Sequence, residues 1–203
     1  MNALIIVDVQ NDFLPGGALA VKGGDTTISV INKLESKFDL VVATQDWHPS
    51  DHKSFASQHA GKNVFDQINL NGLQQFLWPD HCVQQTRGAE FSSELNSKNI
   101  EAIFRKGMEK NIDSYSGFFD NGKKKATGMG AYLKGRGVAS IFVAGLAADY
   151  CVYFTALDGL ELGFQSTIIT DATKAIDSKD FASKLEFFKS KGGKEINSEE
   201  ILF

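Results

Sequence analysis

Cysteine, proline and positive charge are all scarce in this chain, and each shortage excludes something. Its two cysteines, Cys82 and Cys151, lie far apart, so they build neither a disulfide framework nor the C-x-x-C pair of a redox protein. A soluble protein of the reducing cytoplasm is expected. With three prolines in 203 residues, nothing in the composition marks a linker, and the chain reads as one domain over 1–203 with a single substantial core. The formal charge is -4 with signs mixed along the sequence, which leaves no basic face for nucleic acid. Lys123-Lys124-Lys125 is a solitary basic run behind the turn-forming Asp120-Asn121-Gly122 and reads as a solvated loop or helix start. Apolar runs are short as well: none has the length of a membrane span, and the first lacks the basic flank and cleavage site of a signal peptide. The expected partner is a small molecule, with neither nucleic acid nor membrane; the oligomeric state is left open, a homo-oligomer included.

Four of those short runs end on, or lead to, a chemically useful residue. Leu4-Ile5-Ile6-Val7 ends on Asp8, Leu40-Val41-Val42-Ala43 leads to Asp46, Ala102-Ile103-Phe104-Arg105 ends on Lys106, and Ile141-Phe142-Val143-Ala144 opens the turn to Cys151. Each run reads as a buried parallel strand, and ligands of open α/β sheets bind beyond the carboxyl ends of such strands. An acid, a lysine, a thiol and a metal-type ligand would then meet in one cleft.

Strands are predicted near 3–9, 39–44, 101–105, 139–144, 165–170 (stopping at Asp171) and 194–197. Helices are predicted from Asp25, as N-cap, to Lys37, and near 126–135, 148–162 and 178–190. The alternation means an α/β three-layer sandwich: a central, mostly parallel sheet of about six strands with helices on both faces. Residues 46–98 are long for a connection, hold all four histidines, and are expected to include short helices and function.

A cysteine alone is more often a core residue. Cys151, however, falls in the first turn of a helix that follows a strand, where the dipole and free N–H groups favour a thiolate and a lowered pKa. Asp8, at the end of an apolar strand, would be desolvated, and Lys106 is the cation to pair with it; the acid can accept the thiol proton while the ammonium holds both partners. Asp46-Trp47-His48 supplies a carboxylate and an imidazole, and His81 of Trp78-Pro79-Asp80-His81-Cys82 a second imidazole, enough for a three-ligand metal site with open positions. His52 and His59 are weaker candidates. Cys82 is expected to point away from His81 on an extended segment and to serve packing.

Several blocks occur together in order along the chain: Ile6-Val7-Asp8-Val9-Gln10-Asn11-Asp12-Phe13, Thr44-Gln45-Asp46-Trp47-His48-Pro49, Trp78-Pro79-Asp80-His81-Cys82-Val83, Lys106-Gly107, and Gly145-Leu146-Ala147-Ala148-Asp149-Tyr150-Cys151-Val152. With them the sequence resembles the nicotinamidase/pyrazinamidase group of the isochorismatase-like hydrolases. The resemblance implies a Cys151 nucleophile, Asp8 as general base and Lys106 completing the triad. It implies one divalent ion held by Asp46, His48, His81 and waters, zinc first with manganese or iron as the other candidates. It also implies a cis peptide before Ala147, so that the N–H groups of Ala147 and Cys151 form an oxyanion hole. Phe13 and Trp78 fall at substrate-stacking positions, with Tyr115 at the rim. Members differ in the Asp51-His52-Lys53-Ser54 stretch, which leaves a role for His52 as a fourth ligand open.

The implied reaction is hydrolysis of nicotinamide to nicotinate and ammonia, a step of NAD salvage, with pyrazinamide as a second substrate. The rival readings are another hydrolase of the same fold, acting on a carbamoyl or ureido compound or on isochorismate, and a non-catalytic metal-binding module.

Overall fold

Strand β1 (Asn2–Val7) is buried on both sides, and its alternate side chains feed two separate cores. Leu4 and Ile6 pack with Ile28, Ile31 and Leu34 of helix α1 (Thr26–Leu34). Ala3, Ile5 and Val7 pack on the other face with residues of helices α2 (Met129–Gly135), α3 (Tyr153–Glu161) and α4 (Ser178–Ser190). A strand covered twice has no polar face to show, which is why its sequence is a continuous apolar run rather than an alternation. Burying each such Leu or Ile contributes about 1.5–3 kcal/mol.

The computed structural model describes residues 1–202. Its main sheet has six strands in the order β5-β2-β1-β6-β7-β8, all parallel: β2 (Leu40–Asp46), β5 (Ala102–Lys106), β6 (Ser140–Leu146), β7 (Gln165–Lys174) and β8 (Lys194–Ile196) join β1. The expected three-layer α/β sandwich is present. The chain builds outward from β1 to β2 and β5, then returns to β1's other side with β6, so the strand order reverses between β1 and β6. Crevices for ligands open at such a switch point. No helix among the described residues is long and apolar enough to cross a membrane.

The 46–98 region holds short helices, as expected, and adds a hairpin that was not. Its helical content is single 3-10 turns at Ala56–Gln58, Arg87–Ala89 and Ser97–Asn99, and it carries an antiparallel hairpin, β3 (Gln67–Leu70) and β4 (Leu73–Phe76), closed by Asn71-Gly72. Asn-Gly is a strong hairpin turn because both residues accept positive φ, here 53° and 88°. Asp25 makes no side-chain cap; Thr26 and Thr27 hydroxyls instead donate to the Gly23 and Gly24 carbonyls at 2.7 Å. Strand β7 does not stop at Asp171 but continues to Lys174, after an irregularity in its register with β6 between Val143 and Gly145.

Candidate active site

Lys106 ends β5 paired in register with Asp46 at the end of β2. From there its side chain, wholly buried, brings the ammonium to four groups: Asp46 Oδ1 at 2.6 Å, Asp8 Oδ2 at 2.8 Å, the Ser114 carbonyl at 3.0 Å and Cys151 Sγ at 3.4 Å. Asp8 follows β1 directly, with φ at 48°, a left-handed conformation that aspartate tolerates better than most residues. Thr44 on the neighbouring strand donates its hydroxyl to Asp8 Oδ1 at 2.6 Å. The three residues read from sequence as a cluster are therefore in contact.

Their electrostatics divide the two acids. Burial pushes both carboxyls up, but at Asp46 the Lys106 ammonium and His48 outweigh it and hold the group well below the usual carboxylate range. At Asp8 burial prevails over Lys106, aided by the charge of Asp46, and the pKa is raised. One acid stays ionised while the other becomes the better proton acceptor. Burial alone would lower the Lys106 pKa, yet Asp46 and Asp8 keep it well above its ordinary value. Cys151 corrects the sequence reading. Burial raises its pKa well above that of a free thiol, and Asp8 and Asp46 add to the rise against Lys106.

Cys151 lies in one turn of π-helix, Ala148–Val152, that precedes α3, and the Ala147 carbonyl accepts from the N–H groups of Tyr150 and Val152 at 3.1 Å each. The Leu146–Ala147 peptide is cis, as the resemblance implies. Gly145, at φ 112°, lies so close to β1 that a Cβ would stand 2.0 Å from the Val7 carbonyl oxygen. The Asp149 carboxylate ties the turn to the segment before α4 by accepting from Ile176 N at 3.0 Å and Asp177 N at 2.8 Å.

Asp46 Oδ2 lies 3.3 Å from His48 Nε2 and 3.7 Å from His81 Nε2. Each imidazole has Nδ1 against a backbone carbonyl, Gly107 O for His48 and Pro79 O for His81, both at 2.8 Å. A carbonyl requires Nδ1 to donate, so each Nε2 faces the carboxylate, carrying a proton there when the ring is charged and offering a lone pair to a cation when it is neutral. Three converging acceptors, all buried and with ligand atoms within 4.8 Å of one another, fit a divalent cation. Gly107 is required here: a Cβ on it would stand 2.3 Å from His48 Cε1.

His52 stands beside this trio. Its Nδ1 meets Ser54 Oγ at 2.7 Å and the Ser54 N–H at 3.2 Å, while Nε2 faces Ile112 O at 3.3 Å. Burial lowers its pKa to about 4, so it is a neutral ring with both nitrogens engaged. His59 bonds to the Lys53 carbonyl and braces the loop. Cys82 has φ at 47°, so its segment is not extended; it is fully buried in the core on the α1 side of the sheet, and its N–H donates to Asp12 Oδ2 at 2.7 Å.

A narrow cavity of about 20 Å³ is lined by Phe13, Asp46, Trp78, His81, Tyr115, Ala147 and Cys151, all seven anticipated. Asp8, Lys106 and His48 are absent from its lining and sit behind it. Leu19, Asp113, Tyr150 and Ile176 complete the wall and were not anticipated. Tyr150 and Asp113 adjoin residues already singled out, the neighbour of Cys151 and the second residue before Tyr115; Leu19 and Ile176 carry no signal. The aromatic rings interlock edge to face, Trp78 with Tyr150 at 4.8 Å and with Tyr115 at 6.2 Å, leaving one apolar slot.

Comparison with known proteins gives the family. The isochorismatase domain family matches residues 2–200, and the chain belongs to that family. It is 51% identical over 175 residues, 86% of this chain and 82% of the other, to the nicotinamidase of Acinetobacter baylyi. A solved nicotinamidase/pyrazinamidase of Acinetobacter baumanii superposes with TM-score 0.96 at 45% identity, covering 99% of this chain and 98% of that one. The pyrazinamidase of Pyrococcus horikoshii, solved in complex with zinc, matches with TM-score 0.79 at 39% identity over 97% of this chain and 98% of that one.

Proposed function

We propose that the protein is a metal-dependent cysteine amidohydrolase, one domain throughout, that converts nicotinamide to nicotinate and ammonia and also accepts pyrazinamide. The observation that carries this reading is the Cys151 thiol 3.4 Å from an ammonium that also binds Asp8, at the wall of an aromatic slot that shares Asp46 and His81 with a three-acceptor cluster. The named relatives support the substrate.

In this mechanism the pyridine ring lies between Phe13 and Trp78 with its carboxamide toward Cys151. Asp8 takes the thiol proton as sulfur bonds to the carbonyl carbon, and Lys106 neutralises the growing negative charge. The N–H groups of Ala147 and Cys151 hold the oxyanion. Collapse breaks the C–N bond, and Asp8 returns its proton to the departing ammonia. Water then attacks the thioester, giving its proton to Asp8; the C–S bond breaks, nicotinate leaves and the thiol is restored. Asp46, His48 and His81 would hold a divalent ion, which would supply a Lewis acid beside the pyridine ring, and zinc is our assignment because the Pyrococcus relative was solved with it. Two free thiols accord with a reducing, cytoplasmic setting. Ammonia release from nicotinamide by purified protein, with and without added zinc, tests the assignment; no release under either condition would overturn it.

A further inference from the structure

Gln75 belongs to none of the motifs above, yet it is almost wholly buried beneath the hairpin and addresses two residues of the cavity wall. Its Nε2 lies 3.0 Å from Asp113 Oδ2, 2.9 Å from the Tyr115 hydroxyl and 2.8 Å from the Phe76 carbonyl. All three can accept, and since the amide has two hydrogens one of them is shared. We propose that Gln75 is a positioning residue for substrate affinity, fixing Asp113 and Tyr115 in the wall of the aromatic slot; the proposal rests on the amidohydrolase reading.

Asp113 is buried, and its other oxygen accepts from the adjacent Ser114 N–H at 2.7 Å, a contact within the loop that cannot anchor it to the rest of the fold. The Tyr115 N–H donates to Asn121 Oδ1 at 2.9 Å, a contact within the same excursion, and its side chain also bonds to that of Trp78. The hairpin meets this loop at two points, Asn71 Nδ2 on the Asn111 carbonyl at 2.7 Å and Gln75 on Asp113 and Tyr115. Of these, Gln75 alone touches side chains of the slot. Ser114, between them, is held independently: its hydroxyl donates to the Phe119 carbonyl at 2.8 Å and its own carbonyl accepts from Lys106 at 3.0 Å. Losing the Gln75 amide therefore loosens the two slot side chains while leaving the lysine and the thiol in place. Buried hydrogen bonds to a charged partner are costly to leave unmade.

Gln75→Met keeps length and removes the donor. It should raise KM for nicotinamide about tenfold while kcat stays within about twofold. Tyr115→Phe, which deletes one acceptor without touching Gln75, should raise KM about threefold on the same basis. In the double variant the KM effect should be smaller than the product of the two single effects, since both changes cut the Gln75–Tyr115 bond. Equal losses in kcat and KM, or effects that multiply in the double variant, would overturn the positioning role. If Gln75→Met does not fold, an unchanged KM in Tyr115→Phe overturns it instead. Wild-type protein runs beside every variant: absence of turnover there would sink the amidohydrolase reading, a different failure.

Discussion

Lys106 and Asp46 meet at 2.6 Å, and through that contact one carboxylate serves two centres, its other oxygen facing His48 and His81. Removing Asp46 should therefore damage both. Asp46→Ala deletes a ligand and leaves Lys106 with a single carboxylate partner, so ammonia release should fall by more than about a hundredfold and excess zinc should not restore it. His81→Ala deletes a ligand only, and excess zinc should recover part of its activity. Full zinc rescue of Asp46→Ala would show the two centres to be independent.

Chelation should affect binding more than folding. Asp46 ends a strand whose burial does not depend on an ion, and the cluster joins loops rather than forming the core. After treatment with a chelator, far-ultraviolet circular dichroism should be retained while nicotinamide binding weakens. Unfolding on chelation, or undiminished turnover, would contradict this.

Ring recognition should follow the slot. Trp78 is buried against Tyr150 and Tyr115, so Trp78→Ala loses a stacking face worth about 0.5–1.5 kcal/mol beyond its area and raises KM chiefly. Benzamide, which lacks the ring nitrogen, should be a poor substrate. Equal kcat/KM for benzamide and nicotinamide would remove the ion from recognition.

Away from the site, Glu35 is buried with Oε1 unpartnered, while Oε2 accepts from Asn96 and Asn99 at 3.0 Å. Burial raises its pKa above the ordinary 4.5. The folded state thus disfavours the carboxylate: the penalty is absent below 4.5 and develops as pH rises from there through the raised folded value. Glu35→Gln should be more stable than wild type to urea at pH near 7, with the difference shrinking on acidification. A constant difference across that range would contradict the assignment.

The parallel sheet was legible because buried strands must be continuous apolar runs, and Asp8 and Lys106 because each ends one, Asp46 because one leads to it. The hairpin's Asn71-Gly72 signal was present but masked by the polar strands around it, Gln67–Leu70 and Leu73–Phe76, of which one residue, Gln75, is buried. The direction of the Cys151 pKa shift was not legible for a physical reason. Helix position and Lys106 favour a thiolate, but burial and two facing carboxylates, visible only in three dimensions, outweigh them. Ile176 enters the cavity through a backbone bond to Asp149, a contact no local pattern encodes.

The central claim is that Cys151 is the nucleophile and Cys82 a packing residue. Cys82 is sealed in the core and Cys151 lines the cavity, although burial raises both thiols well above their ordinary pKa. The most direct measurement is ammonia release and zinc content for Cys151→Ala and Cys82→Ala side by side. The account predicts no turnover with zinc retained in Cys151→Ala, and most of the turnover retained in Cys82→Ala; an active Cys151→Ala protein would contradict it.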